Sequence, residues 1–415
     1  MSIHGGSDPQ VYRARRKNFY SQVGKKWIRA LSDPYDILDP LPLDWSELAK
    51  IRSASETVSD IYRRYLLILR NASDELLAAI GIPPDAARLA RTVYPPMDFP
   101  LLSRIDFAQT TDGFKLLEIN AEAPGLLVET FPLNALANAH NGGANPNSSG
   151  ERVLAAAIKQ AVSRALAYLE RPCRSATVVV SSFPNFLRDR EIAGYILDLM
   201  DHAAYRQISY VPIGDLRIDT DGIFDTNGQR IDVVFRAFPF SMMKGNRPLS
   251  LNVVASLIRD KKVALVNPPC AIALESKAAQ AIIWGLRDNA QLFGDDGRRR
   301  IEKYFLPTFL DPPADDGSYV IKPYFGFSGD TIAIVDDNGN TRSSSADTSF
   351  VARQMVYQRY VELPTMWMMT ERGISHLTLV GSCFLIDGVP CGVIIRAGEG
   401  ITNFDWWVVP VSVRK

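Results

Sequence analysis

The sequence predicts an α/β fold with α+β elements, and three observations carry that reading. From Glu151 helical stretches alternate with short apolar runs, the pattern of a mostly parallel sheet with crossover helices. From Ala271 one helix, Ser276–Leu286, gives way to β-rich sequence in which Asp387-Gly388 joins LVGSCFLI to VPCGVIIR as a hairpin. Between residues 103 and 125 the stretch SRIDFAQTTDGFKLLEINAEAPG reads as another hairpin, with charged residues at alternate positions.

Taken in order, residues 1–45 are polar and proline-dotted and read as an arm. Its basic run, Arg13 to Lys17, reads as a solvated helix face. Residues 46–95 carry helical periodicity through Leu48, Ile51, Val58, Ile61, Tyr65, Leu66 and Leu69. The hairpin part follows in 96–150 and ends in an Asn/Gly/Ser-rich stretch, Asn141 to Gly150, that predicts an exposed loop and a boundary. The segment 151–270 forms its own α/β subdomain, with a helix over 151–170, a strand at Ala176–Val180, a helix through Asp189–Met200, and strands near Ile208–Val211, Ile231–Phe235 and Val263–Val266. The remaining region is 271–415.

Composition removes several function classes. Lys+Arg and Asp+Glu both number 46 in 415 residues, so no net field favours nucleic acid or an anionic membrane. The four cysteines, Cys173, Cys270, Cys383 and Cys391, lack C-x-x-C spacing, so neither zinc nor a disulfide framework is expected. No run reaches the ~20 apolar residues of a membrane span, and no apolar leader follows the N-terminal polar residues. A cytoplasmic protein is the expectation. The histidines form no triad with a G-x-S-x-G elbow, which disfavours a serine hydrolase.

The hairpin carries the densest chemistry. Residues of equal parity share a strand face, so Arg104 pairs with Asp106 on one strand and Glu118 with Asn120 on the other. A three-residue loop, Thr111-Asp112-Gly113, would set Asp106 opposite Glu118 and Arg104 opposite Asn120, whereas a two-residue Asp-Gly loop would separate them. In the first register, two carboxylates, an amide and a guanidinium crowd one patch, as in a metal–phosphate site.

Four further features accompany it. A strand ending at Lys322 runs into Tyr324-Phe325-Gly326-Phe327-Ser328-Gly329-Asp330, a loop able to close over a triphosphate without being a Walker-type loop. Lys277 stands at a helix start, a position a bound anion would favour. Val356–Val361 reads either as an adenine-side connector strand or as an edge strand. Arg396 precedes the glycine-rich Ala397–Asn403 and suits a clamp on an anionic intermediate.

In order, RIDF…LLEINAEAPGLLVET, IDVVFRAFPF, LVNPPCAIALESKA, VIKPYFGFSGDTIAI, VYQRYV and GVPCGVIIRAGEGIT with DWWVVPV resemble the synthetase domain of glutathionylspermidine synthase, an ATP-grasp ligase. The resemblance spans roughly residues 95–415. It implies a permuted ATP-grasp fold with a pre-ATP-grasp-like α/β subdomain at 151–270 and the nucleotide-binding region with its lid at 271–415. It implies ATP and Mg2+, the metal held by Asp106, Glu118 and Asn120. Arg104 and Arg396 would act on the acyl-phosphate and the tetrahedral oxyanion. Lys277, Lys322, Gly326, Ser328 and Gly329 would hold phosphates under the lid, and Gln358 and Tyr360 would lie by the adenine.

The implied reaction joins a small-molecule carboxylate to an amine, with neither nucleic acid nor membrane as partner. The family's cysteine amidase domain is expected to be missing at this length. Ala121-Glu122-Ala123-Pro124-Gly125 replaces ADTPT, and Phe327 replaces a lid arginine. Those changes point from glutathione and spermidine toward an amino acid or small peptide, with Glu122 and Phe327 as candidate substrate contacts. An ATP-grasp small-molecule kinase and a non-catalytic nucleotide-binding module are the alternatives.

Overall fold

The computed structural model describes residues 3–23, 36–92, 99–242, 251–314, 317–327, 329–349, 353–401 and 406–414. Helix α1 (Pro9–Val23) leads to α2 (Trp45–Leu69), whose start is fixed by the Asp44 N–H donating to Glu47 Oε2 at 2.8 Å. Leu48, Ile51, Val58, Ile61, Tyr65, Leu66 and Leu69 form its buried stripe. Arg16 departs from the solvated face expected of the basic run. It is buried, donating from Nε to the Asp36 carbonyl and lying over the Tyr20 ring.

Three sheets position the site. The hairpin is β1 (Leu102–Thr110) and β2 (Gly113–Asn120). Helix α3 (Gly150–Tyr168) introduces a four-stranded parallel sheet built from β3 (Thr177–Ser182), β4 (Gln207–Tyr210), β5 (Val233–Ala237) and β6 (Ala264–Val266), with α4 (Leu187–Asp198) after β3. Its order is β6-β5-β3-β4, so the order of strand succession, though not strand direction, reverses between β3 and β5.

Helix α6 (Ala278–Gly285) is the helix expected over Ser276–Leu286, and a short additional helix, α5 (Ala271–Glu275), precedes it. A further helix, α7 (Gly294–Tyr304), interrupts the sequence expected to be β-rich. GDDGRRRIEKY buries only Gly297 and Ile301, so no apolar period announces it.

An antiparallel five-stranded sheet follows, ordered β7-β11-β8-β9-β10: β7 (Thr308–Phe309), β8 (Tyr319–Pro323), β9 (Ala333–Val335), β10 (Thr341–Ser344) and β11 (Met355–Arg359). β11 is therefore interior, not an edge. Finally β12 (Thr365–Thr370), β13 (Gly373–Ile386), β14 (Val389–Gly398) and β15 (Trp407–Val409) join the hairpin in a six-stranded antiparallel sheet. Its order is β15-β14-β13-β1-β2, with β12 also beside β13. Asp387 and Gly388, at φ 52° and 80°, make the left-handed turn that joins β13 to β14.

Helix α2 covers one face of this last sheet. A Cβ on Gly381 would stand 3.2 Å from Ile51 Cδ1. On the sheet's other face Phe384 packs on Phe131, and beside them stand Arg104, Asp106 and Ser382. The Asn/Gly/Ser-rich loop is more anchored than its composition suggests. Asn147 is buried, donates to the carbonyls of Thr130 and Val393, and accepts from the Val393 N–H. Among the described residues no helix is long and apolar enough to cross a membrane.

Candidate active site

The hairpin reaches the expected pairing by a different route. Thr110 faces Gly113 across a two-residue turn, Thr111-Asp112, which alone would pair even with odd positions. A β-bulge at Leu117 then shifts the ladder by one residue, restoring Asp106 opposite Glu118 and Arg104 opposite Asn120. The bulge also takes the Leu117 carbonyl out of the ladder. That carbonyl accepts from Gln280 Nε2 at 3.1 Å and Gln358 Nε2 at 3.4 Å, tying the hairpin to α6 and β11.

Long-range register completes the face. Ser382 on β13 sits opposite Asp106, and Arg396 on β14 sits opposite Val380. Asp106 is fully buried. Its Oδ1 accepts from Arg104 Nε at 2.8 Å and Ser382 Oγ at 2.8 Å. Its Oδ2 accepts from Arg104 Nη2 at 2.9 Å and Asn120 Nδ2 at 3.3 Å, and lies 3.0 Å from Arg396 Nη2. Burial alone would raise the Asp106 pKa, but the two guanidiniums hold it well below the usual carboxylate range. Glu118 is lowered too, burial being overcome by Lys277, 3.2 Å away, and by Arg396 at 4.0 Å.

The lysines arrive from the other side of the cleft. Lys277, at the cap of α6, donates to the Gly326 carbonyl at 3.0 Å. Lys322, near the end of β8, donates to Gln358 Oε1 at 2.7 Å. Burial brings the Lys322 pKa down to about 8. Arg396, Lys277 and Lys322 thus meet Glu118 around one opening, with the Arg104–Asp106 pair buried behind Arg396, and an incoming polyanion would satisfy the excess.

Between the two antiparallel sheets lies a cleft. Glu118, Lys277, Lys322, Gly326, Phe327, Gly329, Gln358, Tyr360 and Arg396 line it, with Val320, Ile332, Ile334 and Leu306 as apolar walls. The Gln358 side chain is committed to Lys322 and Gln280, so it positions a lysine and does not present itself to a base edge. Ser328, Thr402 and Asn403 lie outside the described residues.

Glu122 does not face this cleft. It is fully buried, 3.3 Å from Arg236 Nη1, and accepts from the N–H groups of Phe240 and Ser241. Its place in AEAPG put it near the substrate in sequence. The Phe238–Ser241 segment instead closes over its carboxylate, making it a structural ion pair.

Residues not singled out from the sequence complete the network. Glu275 accepts from the N–H groups of Ala121 and Glu122 at 2.6 and 3.0 Å, and its pKa is pushed up to about 7 by burial and then by the Glu122 charge. Gln280 is the lone polar residue in AAQAIIWG, which was a legible signal. Ser382 carried no local signal, because its role depends on a partner 276 residues away.

Asp106, Glu118 and Asn120 form an all-oxygen donor set suited to a hard cation. Among the described residues no group of three or more His, Cys, Asp or Glu could hold a metal ion. Holding Mg2+ there would require Arg396 to leave Asp106 Oδ2 and the Asn120 amide to turn its oxygen to the ion, because Arg104, Ser382 and Asn120 also occupy the Asp106 oxygens; Glu118 faces Lys277 and, more distantly, Arg396.

The chain matches the glutathionylspermidine synthase preATP-grasp family over residues 12–413. It belongs to this family. Membership makes it a ligase of the ATP-grasp type, and the mixed parallel and antiparallel sheets are those of that architecture. A Haemophilus influenzae protein provisionally named acid–amine ligase is 22% identical over 321 residues, which are 75% of this chain and 74% of that one. The structure of a glutathione synthetase-like effector from Globodera pallida, in its apo form, covers 100% of both chains with a TM-score of 0.58 at 13% identity. That likeness shows the shared fold.

Proposed function

We propose that this ligase phosphorylates a small-molecule carboxylate with ATP and joins the resulting acyl-phosphate to an amine. In the first step the carboxylate oxygen bonds to the γ-phosphorus and ADP leaves. In the second the amine nitrogen bonds to the acyl carbon, the acyl C–O bond breaks, phosphate leaves and the nitrogen loses a proton. One observation carries the reading. Lys277, Lys322 and Arg396 come from three separate elements to line an apolar-walled cleft beside Glu118, with the Arg104–Asp106 pair buried behind Arg396.

The residues divide the work by position. Lys277 and Lys322 hold the phosphates, and the cleft walls with Tyr360 take the base. Gly326 to Gly329 close over the nucleotide and keep water from the acyl-phosphate. Arg104, locked to Asp106 and to the Gly125 carbonyl, is a fixed donor for the tetrahedral oxyanion. Arg396 swings from Asp106 to the transferring phosphoryl group. Asp106, Glu118 and Asn120 would hold Mg2+, which supplies charge neutralisation at the phosphates when bound. Residues 96–150 and 271–415 form the ATP-grasp core around the 151–270 subdomain. An amino acid or small peptide is the substrate class. Phe327, 37% exposed at the cleft, removes the lid cation that a glutathione carboxylate would need.

The test is ADP release from a panel of amino acids and small acids, with hydroxylamine as acceptor. A hydroxamate in the products supports the acyl-phosphate. ADP with a phosphorylated alcohol would make the protein a kinase, and the absence of ADP would leave a nucleotide-binding module.

A further inference from the structure

We infer that Glu275 is a positioning residue of the nucleotide site, fixing where Lys277 stands relative to Glu118. This rests on the ligase reading above and adds to it the element that keeps the two halves of the site in register.

The hairpin ladder ends at the Arg104–Asn120 pair. The next two residues, Ala121 and Glu122, are fully buried, so their backbone groups need partners outside the ladder. One stretch of chain supplies them. Asn267, just after β6, donates from Nδ2 to the Ala121 and Glu122 carbonyls at 3.0 and 3.1 Å. Glu275, the last residue of α5, accepts both N–H groups on a single oxygen, Oε2, at 2.6 and 3.0 Å.

Glu275 is therefore clamped to the residue that follows Asn120, and it stands two residues before Lys277. Ser276, between them, is pinned by its hydroxyl, which donates to the Ile80 carbonyl at 2.6 Å. At Lys277 the N–H donates to the Tyr324 carbonyl at 2.9 Å, ahead of the lid loop. Three consecutive residues thus tie the hairpin, the segment at Ile80 and the lid strand to one point.

The contact that this arrangement sets is the 3.2 Å approach of Lys277 Nζ to Glu118 Oε2. It is bracketed on both chains. On one side Glu275 holds Ala121 and Glu122, and on the other Gln280 holds the Leu117 carbonyl. A phosphate bound by Lys277 beside Glu118 meets both groups at once, so an error in their spacing enters nucleotide binding directly.

The single accepting oxygen makes the role testable. Glutamine keeps a carbonyl oxygen in that place, whereas leucine, of similar size, offers none. The experiment uses the full chain with AMP-PNP and Mg2+, affinity being measured by calorimetry on protein shown to be folded by circular dichroism. E275Q should bind within about twofold of the wild type, and E275L about tenfold or more weakly. K277A weakens binding by itself. In the K277A background E275L should add about twofold or less, because it acts through the lysine. If E275L does not fold, E275D, one methylene short of the Ala121 N–H, takes its place in the cycle.

Folded E275L with wild-type affinity would overturn the inference. So would E275Q as weak as E275L, since the oxygen would then not be what matters. Equal weakening by E275L with and without Lys277 marks a merely structural role, and K277A binding like the wild type removes the residue through which Glu275 acts. Either result overturns the inference while leaving the nucleotide site in place. A wild type that does not bind AMP-PNP overturns the ligase reading, and the positioning role with it.

Discussion

Two guanidinium–carboxylate clusters grow from the same hairpin and do opposite things. At Asp106 one buried carboxylate meets both Arg104 and Arg396, just behind an open cleft that Arg396 lines together with Lys277 and Lys322. Glu122, sixteen positions on by sequence number, meets Arg236 alone, and both side chains have no exposed surface. The second cluster is sealed from solvent, so it holds parts together. The first has charge left over and a route to solvent, so it is completed only by a ligand. Charge balance together with access separates function from framework here, since residue type and burial are nearly the same in both.

Substitution tests that contrast most severely where charge is in excess. Arg396→Ala should lower kcat by about 10³-fold or more while ATP affinity and melting temperature change little, because its contacts strengthen as charge develops on the transferring group. Glu118→Gln should abolish turnover in a protein that stays folded by circular dichroism. Unchanged turnover in either would place the reaction elsewhere.

Glu122→Gln should give the reverse signature. Leaving Arg236 buried without its counter-charge should cost about 3–5 kcal/mol in chemical denaturation, with kcat/KM of the folded fraction retained. A variant of full stability without turnover would instead put Glu122 on the substrate.

The pH profile gives a smaller effect with a defined sign. Burial disfavours protonated Lys322, so its proton leaves at about 8 and not at the ordinary lysine value. The cation that meets phosphate is present below that pH and lost above it. The kcat/KM for ATP, which reports the free enzyme, should therefore fall above about pH 8, by up to about tenfold per unit. Lys322→Arg should remove that limb. In folding, the unfolded chain keeps this proton from about 8 up to the ordinary lysine pKa, so this group's contribution to stability rises with pH across that window.

The mildest probe is the tie between the clusters' elements. Gln358→Leu leaves the Leu117 carbonyl to Gln280 alone and Lys322 without its acceptor. A loss of about 1–3 kcal/mol in stability with a several-fold rise in the KM for ATP is expected. An unchanged KM would mean that nucleotide alone orders Lys322.

Much of the site was legible because its signals are local. Period-two alternation put Arg104 with Asp106 and Glu118 with Asn120 on their faces. Asp387-Gly388 marked its hairpin, and the apolar stripe of α2 was readable from Leu48 to Leu69. The failures are equally physical. Helix α7 escaped because it buries only two residues. Gln358 was assigned to the adenine because a strand sequence gives side-chain parity and not the partner. Glu122 was assigned to substrate because nothing near it in sequence shows that Arg236, 114 residues away, closes over it.

What the sequence by itself determined is which residues share a strand face, since side-chain alternation is set by the backbone over a few residues. The two-residue turn and the bulge at Leu117 were decided by the folded sheet, where register is a compromise among β1, β2 and β13. The meeting of Lys277, Lys322 and Arg396 around Asp106 and Glu118 was likewise decided by tertiary structure. Those side chains come from elements far apart in the chain, and only the packing of two sheets across a cleft brings their charges within a few ångströms.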